Sequence, residues 1–112
     1  MREGDIVKAA LNQIDNKVKF RPALLLKQMP PYDDWLVCGI TSQLSNRVEK
    51  FDLLLSENDS EFPKTGLLKT SIIRLGFIAV IPESIIEGII GSISKNKYDE
   101  LLNNLISHLY SK

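Results

Sequence analysis

The chain has 112 residues, of which 44% are hydrophobic and 25% charged, a composition that fits one globular domain, residues 1–112, around one core. Fourteen basic side chains balance fourteen acidic ones, so there is no general pull on nucleic acid and any site for a polyanion must come from local clustering of charge. No apolar run approaches the roughly 20 residues of a membrane helix, the opening Met1-Arg2-Glu3-Gly4-Asp5 lacks the apolar stretch of a secretory signal, and the single cysteine, Cys38, cannot form an internal disulfide; together these point to the cytoplasm.

In chain order, short apolar runs broken by turn residues come first. Residues 5–11 form the first predicted strand, just after Gly4, and Asp15-Asn16 marks a turn. Residues 19–29 form a long second strand. Pro22 cannot donate to a ladder, which puts it near that strand's start or on an unpaired side. Pro30-Pro31-Tyr32-Asp33-Asp34 breaks the chain, and residues 35–40 read as a fully buried third strand. Residues 51–55 are the fourth, and the polar stretch 56–64, with Pro63, is a loop. Residues 72–81 form the next strand with Gly76 as a bulge, and 85–93 a short one carrying Gly88 and Gly91. Then the period changes. Tyr98, Leu101, Leu102, Leu105, Ile106 and Leu109 recur at spacings of three and four, the stripe of an amphipathic helix, with Ser94 as its N-cap. Short strands followed by one terminal helix predict a small, mostly antiparallel β-barrel.

Three segments carry side chains suited to an anionic ligand. In an extended segment residues two apart share a face, so Lys17, Lys19 and Arg21 form a local basic stripe. A solvated strand face, or a charged edge that discourages aggregation, explains the same pattern. Thr41, Ser42 and Gln43 leave the buried third strand and enter a loop, where hydroxyls and an amide can donate to phosphate oxygens or read a base edge; a hydrogen-bonded turn is the plainer account. Lys69, Thr70 and Ser71 lead into the strand that carries Arg74, which can clamp a phosphate with paired donors or cover the barrel with its aliphatic stem.

Other chemistry is missing from the sequence. There is no Cys/His cluster with metal-ligand spacing and no glycine-rich phosphate loop, so no metal or cofactor is expected. Asp33-Asp34 sits in a proline-rich turn and suits turn chemistry better than metal binding. His108 falls near the end of the predicted helix, where it caps or solvates the helix rather than acting as a base. Cys38 lies in a buried strand, where thiols are inert.

Taken together and in order, these segments resemble the MazF/PemK family of toxin endoribonucleases over nearly the whole chain. Gly4-Asp5-Ile6-Val7 is similar to that family's first strand. Arg21-Pro22-Ala23 leading into Leu24-Leu25-Leu26 is similar to its most recognisable motif. The strand ending Ile40-Thr41-Ser42, the Ile73-Arg74 pair, and Gly91-Ser92-Ile93 before a terminal helix complete the match. The resemblance implies an SH3-like small β-barrel of the CcdB/PemK kind, a homodimer with single-stranded RNA in a groove between protomers, and a cognate antitoxin that folds onto that groove. It implies transesterification without a metal, leaving a 2′,3′-cyclic phosphate and a 5′-hydroxyl. Arg21 carries over as the residue that stabilises the phosphorane, an electrostatic role that suits a side chain too basic to donate protons readily. Thr41 carries over as a partner of the scissile phosphate, with Lys17, Lys19, Ser42, Gln43 and Arg74 as RNA contacts. One departure concerns the proton acceptor: where some members place an acid three residues after the arginine of the Ile-Arg pair, this chain has Phe77, and its only histidine is His108 rather than an early one.

Two other readings compete. The same barrel can serve as a non-catalytic toxin, for example a gyrase poison, or as an inactive relative; keeping both Arg21 and Thr41 favours cleavage over binding alone. An SH3-like peptide adaptor would show an aromatic groove, and the four Phe, three Tyr and one Trp look mostly like core.

Overall fold

The structure, a computed structural model, describes residues 1–12 and 18–111. In chain order it contains β1 (Asp5–Asn12), β2 (Val18–Met29), β3 (Asp34–Thr41), β4 (Leu53–Leu55), β5 (Ser71–Ile81), β6 (Ile86–Ser92) and α1 (Lys95–Tyr110), with 3-10 turns at Leu44–Asn46, Phe62–Thr65 and Glu83–Ile85. The strands form one antiparallel sheet in the order β4-β5-β3-β2-β1-β6. The fold is mostly β with a C-terminal helix, as the pattern predicted. The Asp15-Asn16 turn lies outside the described residues. The fourth strand is shorter than predicted, because Phe51 and Asp52 belong to the turn that leads into it. No described helix is long and apolar enough to cross a membrane.

Alternation along the strands divides the core into two clusters on opposite faces of the sheet. Ile6, Leu24, Leu26, Cys38, Ile40, Ile73 and Leu75 face the helix and bury Leu101 and Leu105. Val7, Ala9, Ala23, Leu25, Trp35, Val37 and Ile81 form the second cluster. At about 25 cal/mol per Å² of apolar surface removed from water, these buried apolar side chains contribute the dominant favourable term.

The sheet remains open as a ladder, and its two ends meet through a turn. Phe62–Thr65, which follows β4, lies against β6 so closely that a Cβ on Gly66 would overlap the Ile90 carbonyl, and one on Gly91 would overlap Thr65. Gly66 also has φ 71°, a left-handed conformation that glycine adopts without steric cost. The barrel-like shape therefore closes by backbone packing at two glycines.

Two features of the sheet bear directly on the site. Pro22 stands opposite Lys8 in the β1–β2 ladder, while the β2–β3 ladder starts at Ala23↔Gly39, so the missing N–H leaves no gap in the β3 pairing. In β5 the register with β3 jumps from Cys38↔Ile78 to Gly39↔Arg74. Leu75, Gly76 and Phe77 are thereby lifted out of the β3 ladder, and the bulge expected at Gly76 spans three residues.

Candidate functional site

Register places the predicted site residues. Arg21 is opposite Ala9, and Lys19 opposite Leu11. Since Ala9 and its neighbour Leu11 pack in the second cluster, Lys19 and Arg21 share that face, and both are exposed. Lys17, the third member of the expected stripe, lies outside the described residues. Ala23, Gly39 and Arg74 form a cross-strand row on the same face. Arg21 lies two residues before Ala23 on β2 and Thr41 two residues after Gly39 on β3. In antiparallel strands those displacements run the same way, so both residues leave the row in one direction. With a rise of about 3.4 Å per residue, each Cα is roughly 7 Å from the row.

Thr41 ends β3 half-buried, and its Oγ1 accepts from the Gln43 amide at 3.1 Å. The turn expected from Thr and Ser is thus real, yet it uses only one of the hydroxyl's acceptor positions; the O–H is still a donor. Gln43 is tied more fully, its Oε1 accepting from Asn46 Nδ2 at 3.3 Å in the Leu44–Asn46 turn. Ser42 is exposed between them. Arg74 is half-buried, and its guanidinium lies over Gly76, with Nη2 3.9 Å from where a Cβ there would be.

The bulge that presents Arg74 and Phe77 is held from outside the ladder. Asp52 is buried, with Oδ1 accepting from the Leu75 amide at 3.1 Å and Oδ2 from the Val48 amide at 2.9 Å. A buried amide displaced from its ladder needs a partner, and a carboxylate with two acceptor oxygens supplies one while pinning the loop before β4. Sequence reading missed Asp52, because nothing local distinguishes it from any acid ahead of a strand.

The remaining polar candidates are elsewhere or inert. His108 stacks on Phe51, centroids 4.9 Å apart and rings tilted by 53°. Phe51 packs on the helix-side cluster, so the imidazole is on the opposite face of the sheet from Arg21. Burial, with the charge of Asp52 adding to it, pushes the Cys38 thiol up to about 12, which keeps it protonated and unreactive. Among the described residues no group of three or more His, Cys, Asp or Glu side chains is placed to hold a metal ion. Gln28 Nε2 donates to Asp33 Oδ1 at 3.2 Å, in keeping with turn chemistry there.

Chemically, this face offers guanidinium groups, an ammonium, a hydroxyl donor and an exposed ring, a set that suits a phosphodiester better than a neutral peptide. Residues 2–109 match the family described as PemK-like, MazF-like toxin of type II toxin-antitoxin system. No curated protein matches the chain significantly. Among solved structures the chain is similar to an endoribonuclease in complex with its cognate antitoxin from a mycobacterial species, with a TM-score of 0.73 and 12% identity over 97% of this chain and 94% of that one. It is also similar to the Mycobacterium tuberculosis toxin MazF-mt6, with a TM-score of 0.72 and 20% identity over 96% and 98% of the two chains. At these identities the likeness is one of fold.

Proposed function

The chain belongs to the PemK-like, MazF-like toxin family of type II toxin–antitoxin systems, and from that premise we propose that it is a metal-independent endoribonuclease of single-stranded RNA. The observation that carries this reading is the common face of Arg21 and Thr41, which leave the Ala23–Gly39–Arg74 row in the same direction. In the reaction, the ribose 2′-oxygen attacks the adjacent phosphorus, the bond from phosphorus to the 5′-oxygen breaks, and the departing 5′-oxygen takes a proton from solvent, leaving a 2′,3′-cyclic phosphate and a 5′-hydroxyl. Arg21 stabilises the charge that builds on the non-bridging oxygens, where a positioned donor matters most. The Thr41 hydroxyl donates to the same phosphate. Lys19 and Arg74, with Lys17, neutralise flanking phosphates, and Ser42 and Gln43 contact neighbouring nucleotides. Phe77 stands where some relatives carry an acid and His108 is on the other face, so in this reading the 2′-hydroxyl proton passes to solvent.

The reading includes a cytoplasmic location, a cognate antitoxin, for which the antitoxin-bound neighbour of the same fold is the precedent, and a homodimer. Ile78 and Val80, 41% and 54% exposed, support the dimer: β4 pairs only with the Ser71–Ile73 end of β5, which leaves that apolar stretch uncovered on one edge.

The test is incubation of the purified protein with a long single-stranded RNA in excess EDTA, followed by mapping of fragment ends. Wild type should make discrete cuts bearing cyclic-phosphate and 5′-hydroxyl ends. Arg21→Ala, folded by circular dichroism, should be slower by about 100-fold or more. Undiminished cutting by Arg21→Ala would remove the site assignment, and loss of cutting in EDTA with recovery in magnesium would remove the metal-free mechanism. Intact RNA with wild type would leave a binding protein on the same barrel.

A further inference from the structure

An exposed aromatic ring lies in the middle of this basic face, and nothing in the reaction above uses it. Phe77 is 41% exposed and sits over Gly39: a Cβ on that glycine would be 2.9 Å from Phe77 Cδ1 and 3.3 Å from Cγ. Gly39 is the central member of the Ala23–Gly39–Arg74 row, so the ring is between the strand that carries Arg21 and the arginine on its own strand. Any larger residue at position 39 would lift the ring away from the sheet.

The ring is also held in place. It ends the three-residue bulge whose first amide, Leu75, is fastened to the buried Asp52 carboxylate. The ring thus lies against Gly39, and the residue still keeps substantial exposure beside the row that carries Arg74. Phe77 shares its exposure with Ile78 and Val80 of the same strand, but it alone of the three lies over Gly39, in the row that carries Arg74. A flat apolar surface flanked by phosphate-binding donors has the two halves of a nucleotide site: π-stacking for the base, charge for the backbone.

Resting on the ribonuclease reading, we propose that Phe77 is a stacking platform for one nucleobase of the bound RNA strand, adjacent to the phosphate held by Arg21 and Thr41. A platform of this kind holds a base of any identity, because every base has a π-face. Its role is to seat the strand so that the scissile phosphate meets Arg21, which makes Phe77 a positioning residue for the reaction.

The experiment uses a short oligoribonucleotide containing a cleavage site mapped with wild type. A series of variants of that oligonucleotide replaces one nucleotide at a time by an abasic ribose, which keeps the phosphate and the 2′-hydroxyl. Phe77→Leu keeps apolar bulk over Gly39 without the π-face, and Phe77→Tyr keeps both; thermal melts check that each is folded. Phe77→Leu should raise KM by about 5- to 150-fold with a smaller change in kcat, and Phe77→Tyr should stay near wild type. At one position near the cut, base removal should cost wild type a similar factor and cost Phe77→Leu almost nothing more. Phe77→Leu at wild-type KM, or abasic losses that multiply with it at every position, would overturn the platform. The same holds if Phe77→Leu weakens only antitoxin binding. Wild type that cuts no RNA would take down the ribonuclease reading and the platform together, whereas cutting by wild type with an indifferent Phe77→Leu removes the platform alone.

Discussion

Asp52 accepts from two backbone amides with one carboxylate, at Val48 and at Leu75, and so couples the loop before β4 to the bulge in β5. Removing it leaves a buried N–H without a partner, which costs more than the lost bond itself. Asp52→Ala should therefore destabilise the protein by about 1–3 kcal/mol, read as a shift of the urea midpoint at unchanged slope. A midpoint unmoved from wild type would show that the bulge holds itself. Thr41 teaches a related lesson: its hydroxyl both accepts within a turn and keeps a proton to donate, so the structural and functional readings offered for it at the outset do not exclude each other.

The helix illustrates what an element adds. Ser94 accepts from the Lys97 amide at 3.3 Å, as the predicted N-cap should, and Tyr98 donates its hydroxyl to the Leu26 carbonyl at 2.7 Å. The apolar stripe is longer than the surface available to it: Leu101 and Leu105 are buried while Ile106 and Leu109 face solvent. Its first turn is fastened by Lys97, whose Nζ is 2.8 Å from Asp59 and 3.1 Å from Glu61. The hydrogen bond from Lys97 holds the Asp59 carboxyl below its ordinary 3.8, and the bonds to Asp59 and Glu61 hold Lys97 above 10.5. A lowered carboxylate stabilises the fold above its ordinary value and loses that contribution as pH falls through the folded one; a raised ammonium does the reverse at the alkaline end. Stability from this cluster should be flat near neutrality, decline below about pH 4 and decline again above about pH 10.5. Urea titrations across pH should find both limbs shallower in Lys97→Met, and identical limbs in the two proteins would exclude the cluster as their source.

At the scale of the whole molecule, the sheet's ends are held together by two glycines rather than by a ladder. Gly66→Ala meets both a left-handed backbone and the Ile90 carbonyl. The backbone alone costs about 1–2 kcal/mol, so Tm should fall by at least about 5 °C, with loss of folding the stronger outcome. Gly88→Ala, in the same strand β6 but with nothing within 4 Å of a Cβ there, should leave Tm nearly unchanged. Equal melts for the two variants would show that the close approach does not hold the barrel shut. The basic face depends on this closure only indirectly, since β2, β3 and β5 are consecutive in the middle of the sheet order.

What the sequence determined by itself was whatever local chemistry and periodicity decide. Strand alternation, the three-four stripe and Ser94 specified the strands and helix, because side-chain direction repeats every two or 3.6 residues whatever the partner. The order of short motifs around Arg21, Thr41 and Arg74 was enough to suggest the family. Tertiary structure decided the rest, because it depends on which strands become neighbours. Only cross-strand register brings Ala23, Gly39 and Arg74 into one row, and only the register jump lifts Phe77 out of the ladder. Asp52 and Leu75 meet across a separation of 23 residues, which no local pattern encodes. Phe77, noted in the sequence only as a missing acid, is over Gly39 because a residue without a side chain faces it from another strand.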